Sequence, residues 1–195
     1  MTAAPTADTL TLGLLAGGRA SRLGGRDKAW LARDGVAQVL RLQQAFAPRV
    51  TRVLVSANTA LERYAAHGLD TVQDRVTDAG PLSGLDALVA ATTTPWLLTL
   101  PVDLVHADTR LLPMLALLAG ETGAYAIDDD GVQPLVALWS TTRTGPVIAA
   151  AFERGDYAVR GLQQALGMQG VRLDGVRFGN LNTPDDLIDA GIADP

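Results

Sequence analysis

Two apolar runs limit what this chain can fold into. Residues 9–15 mix Thr with Leu and pass straight into Ala16-Gly17-Gly18, and residues 96–100 are apolar apart from Thr99 and stop at Pro101. The first reads as a buried strand ending at a glycine-rich turn, and the second, with no polar alternation and so no face to give to water, as a strand at the centre of a parallel sheet. Further strands are expected over 52–56 and 70–72. Helices are expected over 36–46, 61–66, 82–91 (after Gly80-Pro81) and 109–118, the last stopped by Gly120. In the second half, strands over 125–127 and 134–139 flank Asp128-Asp129-Asp130-Gly131, which reads as a solvated hairpin turn. Helices over 146–152 and 159–166 and short strands over 171–173 and 177–178 follow. Asn182-Thr183-Pro184-Asp185-Asp186 opens a last helix with a capping residue, an N1 proline and N-terminal acids. This alternation predicts a single three-layer α/β domain over residues 1–195 with a mostly parallel sheet, its first eight residues a flexible N-terminus.

Composition narrows the function classes. The chain has 16 Lys+Arg against 21 Asp+Glu, a net charge of −5, so it lacks the polybasic footprint of nucleic-acid or anionic-membrane binding. It has no Cys, which removes disulfides, thiolate metal sites and cysteine nucleophiles together, and only His67 and His106, which excludes a His-rich metal site. No secretory leader or run of bilayer-spanning length is legible, and a cytoplasmic protein is expected.

In a sheet of this kind ligands gather at the carboxyl ends of the strands, so the segments after them carry the chemistry. Leu15-Ala16-Gly17-Gly18-Arg19-Ala20-Ser21-Arg22-Leu23-Gly24-Gly25-Arg26-Asp27-Lys28 combines four glycines with Arg22 and Lys28. Glycines let backbone N–H groups approach oxygen atoms, and the cations suit a polyphosphate. The spacing matches neither a Walker A loop nor Gly-x-Gly-x-x-Gly. Of the 16 basic residues only Lys28 is a lysine, and a lone ammonium beside the loop suits a point charge on a phosphate oxygen. Asp103, just past Pro101, would be a hard oxygen ligand for Mg²⁺ at the same edge, a helix cap or loop acid being the alternative. Asn58 and Asp74 follow two further strands; base or ribose recognition fits them, and turn capping accounts for the same placement. Trp96 and Trp139 read as core, and His67 and His106 as surface loop residues.

The loop from Leu15 to Lys28, with Asn58, Asp74, Gly80-Pro81-Leu82, Pro101-Val102-Asp103, Gln133-Pro134 and Asn180-Leu181-Asn182-Thr183-Pro184, resembles the molybdenum cofactor guanylyltransferases, in the family's order across nearly the whole chain. The resemblance implies a Rossmann-like nucleotidyltransferase fold and Mg²⁺-dependent transfer of GMP from GTP to molybdopterin or Mo-molybdopterin, with pyrophosphate released. Other molybdenum cofactor biosynthesis proteins and molybdoenzymes would be its protein partners. It also implies that Leu15, Ala16, Gly17 and Gly18 contact the nucleotide, that Lys28 and Arg22 steady its phosphates, and that Asn58 and Asp74 complete recognition. Asp103 would bind nucleotide and metal, making Lys28, Asp103 and Arg22 the catalytic set. Asn180 and Asn182 would lie on the cofactor side as substrate contacts, or serve as structural caps. The family commonly has Cys before the metal aspartate and Thr-Pro after it, where this chain has Val102 and Leu104-Val105; that difference bears on the acceptor side. The alternatives are a cytidylyltransferase on the same pterin, whose members tend to have Ala where Gly17 stands, another nucleotidyltransferase, and a noncatalytic nucleotide- or cofactor-binding adaptor.

Overall fold

The computed structural model of the chain describes residues 4–17 and 26–192. After a short 3-10 turn at Ala7–Thr9, the chain enters strand β1 (Leu10–Leu15), and a second 3-10 turn at Lys28–Trp30 leads into a small hairpin of β2 (Ala32–Arg33) and β3 (Val36–Ala37). Then come α1 (Gln38–Phe46), β4 (Arg52–Ser56), α2 (Leu61–Ala66), β5 (Asp70–Val72), α3 (Pro81–Ala91) and β6 (Trp96–Pro101). The second half carries α4 (Leu111–Leu118), β7 (Gly123–Asp128), β8 (Gly131–Ser140), α5 (Thr141–Arg154), α6 (Val159–Leu166), β9 (Gln169–Arg172) and α7 (Pro184–Asp189).

A seven-stranded sheet runs in the order β5-β4-β1-β6-β8-β7-β9. Every neighbouring pair is parallel except the two made by β8, which is antiparallel to β6 and β7. The chain leaves β1 toward β4 and β5 on one side and returns on the other at β6, so the carboxyl ends of β1 and β6 flank the point where strand order reverses. The expected mostly parallel α/β architecture is what the chain adopts.

Alternation along the buried strands divides the core between two faces. Leu10, Leu12 and Leu14 of β1 and Trp96, Leu98 and Leu100 of β6 pack with Val39, Leu42 and Phe46 of α1 and Leu111 and Leu115 of α4. Leu97, Ala137 and Trp139 pack instead with Leu82, Leu85 and Leu88 of α3, Ile148 of α5 and Leu162 of α6. Both strand tryptophans are therefore core. A buried hydroxyl on β6 is fully used: Thr99 Oγ1 accepts from Trp139 Nε1 at 2.8 Å and donates to the Leu135 carbonyl at 2.7 Å.

Four local expectations are corrected. Helix α1 starts only at Gln38, because Asp34 and Gly35, at φ 52° and 75°, form a two-residue hairpin turn that commits Val36 and Ala37 to a strand. Residues 177–178 form no strand; the Phe178 N–H is drawn instead to Asp128 Oδ2 at 3.0 Å. Asp128 is not a solvated turn residue but is buried, accepting on Oδ1 from the N–H groups of Asp130 and Gly131 and from Gln133 Nε2. Finally, α5 begins at Thr141 and runs through Pro146, with Thr141 Oγ1 anchored on the Thr94 carbonyl at 2.9 Å. In the N-terminal segment, Thr51 Oγ1 donates to the Ala7 carbonyl at 2.8 Å.

Candidate functional site

The carboxyl ends of β5, β4, β1 and β6 line one edge, cross-linked by backbone bonds just past the strands. Ala16 N–H donates to Ser56 O at 3.0 Å, Ala57 N–H to Val72 O at 3.0 Å and Val102 N–H to Leu15 O at 3.1 Å. This sets Leu15, Ala16 and Gly17 between the segments that lead to Asn58 and to Asp103. A Cβ on Gly17 would meet nothing within 4 Å among the described residues. Gly18 and Arg22 lie outside the described residues.

Helix α3 brings its N-terminus to the same edge. Gly80 precedes it at φ 59°, Pro81 fills the first helical position, and Gly84 lets the first turn close on the strands. A Cβ on Gly84 would lie 2.7 Å from Ser56 Oγ and 3.0 Å from Leu15 Cδ2. The loop before the helix is clamped by Arg75, whose guanidinium meets the buried Asp86 carboxylate through two bonds of 2.9 Å. Nothing in the spacing announced that pair, because an Arg and an Asp eleven residues apart face each other only once Gly80 has turned the chain.

Lys28 and Asp103 meet. Lys28 Nζ lies 3.0 Å from Asp103 Oδ2, with the two side chains 22% and 23% exposed, so water screens the pair only in part. The same ammonium donates to Asn182 Oδ1 at 2.7 Å. Asp27 fixes the turn that presents it by accepting from the Ala29 N–H at 3.0 Å. Two residues on, Trp30 is a buried peg against Tyr64 and His67, with ring centroids 4.9 and 5.0 Å away, and carries the Arg63 guanidinium 4.2 Å from its ring centre. Burial, with a contribution from the nearby Asp27 charge, pushes the Tyr64 hydroxyl up to about 12.

Asn182 owes its place to the C-terminal segment, which runs antiparallel to the stretch after β6. Leu181 N–H donates to Asp103 O at 2.9 Å, Leu104 bridges Asn180, and His106 N–H donates to Phe178 O at 2.9 Å. The N–H groups of Asn182 and Thr183 both donate to Asp186 Oδ2, at 2.8 and 2.7 Å, closing the cap of α7. Those N–H groups, Asn182 first, hold the Asp186 carboxyl below the usual carboxylate range, with a smaller contribution from the charge on Lys28. Asn180 joins through its backbone, and its side chain makes no hydrogen bond among the described residues. The three positions where the chain departs from the family pattern point into packing: Val102 and Leu104 are in the main core, and Val105 packs with Leu31, Leu181 and Leu187.

Asn58 and Asp74 pair with each other two strands away. Asn58 Nδ2 donates to Asp74 Oδ2 at 2.8 Å, and Asp74 N–H donates to Asn58 Oδ1 at 2.9 Å. This reciprocal bond spans the ends of β4 and β5 and leaves Asp74 Oδ1 free among the described residues.

The donor set is that of a hard cation shared with a ligand rather than caged by protein. Among the described residues no group of three or more His, Cys, Asp or Glu could hold a metal ion. Asp103 offers one carboxylate with a single oxygen engaged by Lys28, and Asn182 a neighbouring amide oxygen. Mg²⁺, which takes one or two carboxylates and completes its shell from phosphates and water, fits such a site.

The mostly parallel α/β sheet sets Lys28 against Asp103 across the strand ends, and the matching family model and named relatives make the class of protein a nucleotidyltransferase. The chain belongs to the MobA-like NTP transferase domain family, whose model matches residues 13–171. It is 37% identical over 180 residues to a Pseudomonas aeruginosa protein named molybdenum cofactor guanylyltransferase, covering 89% of this chain and 90% of that one. A Cupriavidus necator protein of the same name is 30% identical over 189 residues, covering 92% and 95%. Among solved structures, the fold is shared with molybdopterin-guanine dinucleotide biosynthesis protein A of Archaeoglobus fulgidus, at a TM-score of 0.72, 18% identity and 93% and 96% coverage. It is also shared with 2-C-methyl-D-erythritol 4-phosphate cytidylyltransferase of Thermus thermophilus, at a TM-score of 0.71, 19% identity and 92% and 96% coverage. No helix among the described residues is long and apolar enough to cross a membrane.

Proposed function

We propose that this chain, acting as one nucleotidyltransferase unit, transfers GMP from GTP to molybdopterin, bare or carrying molybdenum, and releases pyrophosphate. The observation that carries the reading is the 3.0 Å pair between the only lysine and Asp103 at the ends of β1 and β6. Further support is the name that relatives of at least 30% identity bear over most of their length.

The chemistry follows from charge. An acceptor phosphate oxygen attacks the α-phosphorus of the nucleotide, and the bond from that phosphorus to the bridging oxygen of the β-phosphate breaks. The bonding pair leaves with pyrophosphate. The nucleophile is already an anion, so no side chain need remove a proton and none need become covalently attached. Lys28, held by Asp103 and Asn182, is poised to turn its ammonium onto the triphosphate as negative charge grows on the leaving group. Asp103 would hold Mg²⁺, which when bound offsets triphosphate charge. Leu15, Ala16 and Gly17 form the nucleotide's floor, with Gly18 and Arg22 of the same loop assigned to its phosphates, and Asn58 and Asp74 offer hydrogen bonds to its base or ribose.

Incubation with molybdopterin, MgCl₂ and either GTP or CTP, followed by mass analysis of the pterin, tests the reading. The expected product is the guanine dinucleotide, formed from GTP alone. Lys28→Ala should cut turnover by about tenfold or more, the loss of one charge-assisted hydrogen bond, with the circular dichroism spectrum unchanged. A cytosine product would replace the base assignment. Pyrophosphate release that Lys28→Ala leaves at full rate would remove Lys28 from the mechanism.

A further inference from the structure

A second cleft opens on the α1 side of the Asp103 loop. It has a volume of about 260 Å³ and lies between Arg33 of the β2–β3 hairpin, Gln38 and Arg41 of α1, and Leu104, Val105 and His106. Its size is just below the ~300–1,000 Å³ of typical small-ligand pockets. Its chemistry is one-sided: two guanidiniums and an imidazole line it, and among the described residues no carboxylate does.

Several arginines of this acidic chain close on acids. Arg52, Arg75, Arg143 and Arg172 each hold a carboxylate at 2.8–3.0 Å. Arg41 holds none among the described residues; its one hydrogen bond is a long one, Nη1 to the Arg33 carbonyl at 3.5 Å. Arg33 reaches only Asp34, at 3.8 Å, and that carboxylate is 82% exposed. Two partly buried guanidiniums beside one cavity repel each other and draw in a counter-anion. The wall behind them is fixed, because the buried Gln38 donates through Nε2 to the Leu104 carbonyl at 2.9 Å and so ties α1 to the residue after Asp103.

We infer that this cleft is a binding site for a phosphate-type oxyanion, free or carried on a substrate, with Arg41 as its principal donor and Arg33 and His106 completing it. Arginine suits the role because its planar fork can give two parallel N–H bonds to one oxyanion. The assignment is independent of the nucleotide reading, since none of these residues belongs to the set assigned to GTP.

The two histidines give an internal control. His106 lines the cleft, whereas His67 packs on Trp30 outside it. Inorganic phosphate titrated into the protein at fixed pH and ionic strength, against a chloride control, should shift the imidazole NMR signals of His106 saturably and leave those of His67 in place. Arg41→Gln should weaken that binding about tenfold or more, the worth of one charge-assisted bond, without altering the circular dichroism spectrum. Equal response of both histidines, an identical response to chloride, or undiminished affinity in Arg41→Gln would overturn the site. A competition arm identifies the source. If phosphate raises the KM for the nucleotidyl acceptor in wild type but not in Arg41→Gln, the oxyanion belongs to the acceptor. If acceptor kinetics are untouched while His106 still titrates, the site serves a free anion.

Discussion

At the scale of single residues, Asp128 shows how much a carboxylate's neighbours decide. Burial alone would raise its carboxyl, but the Phe178 N–H, the Gln133 amide and the N–H groups of Asp130 and Gly131 outweigh that and hold it below the usual carboxylate range. A carboxyl depressed on folding adds stability that is complete above its unfolded pKa of about 3.9 and is lost as pH falls through the lower folded value. Urea unfolding should therefore show wild type losing stability on acidification below about pH 4. Asp128→Asn should sit about 1.5–3 kcal/mol lower at neutral pH and lose less on acidification. The amide oxygen can still serve the hairpin N–H groups, but its NH₂ would face the Phe178 N–H, donor against donor. A variant as stable as wild type at pH 7 would show that the carboxylate adds nothing to the hairpin. In the sequence the three acids look like one solvated run, because nothing local reveals that Phe178 returns to cover the first of them.

At the scale of elements, the edge of the sheet was legible because each strand declared its own end. Gly17 after β1, Pro101 at the last position of β6 and Gly80-Pro81 before α3 mark the ends of elements by their own backbone limits, whatever packs around them. The β2–β3 hairpin was legible in principle too, since Asp34-Gly35 is a strong two-residue turn signal, but the helical stripe that begins at Val36 masked it. The approach of α3 to β4 was not legible, as it depends on Gly84, where a missing side chain lets the helix close on Ser56. Gly84→Val should therefore push the helix from Ser56 and Leu15, costing about 1–3 kcal/mol in overpacking. It should also weaken nucleotide binding, because Leu15 belongs to the floor proposed for the nucleotide. Calorimetric titration with GTP beside a thermal melt checks both, and unaltered affinity would show that the floor tolerates displacement.

At the scale of the whole molecule, the site is assembled from distant stretches: Lys28 and Asn182 are 154 positions apart and share a bond of 2.7 Å. Both residues stand out in the sequence, and the capping role of Asn182 is legible there, but its bond to Lys28 is not, because spacing along a chain says nothing about which ends a sheet will bring together. The geometry makes it a positioning residue for the ammonium and a cap partner at once. Asn182→Ala should lower kcat for nucleotidyl transfer several-fold to about tenfold, with the KM for GTP changed less and the melting temperature nearly unmoved. A fall in stability with kcat preserved would leave only the capping role. The antiparallel run of residues 178–182 along 103–106 also has a consequence in time. During translation the sheet's first strands, the amine and its acid all emerge well before the stretch that fastens them, so a ribosome must deliver the chain through Asn182 before the ammonium of Lys28 can be set.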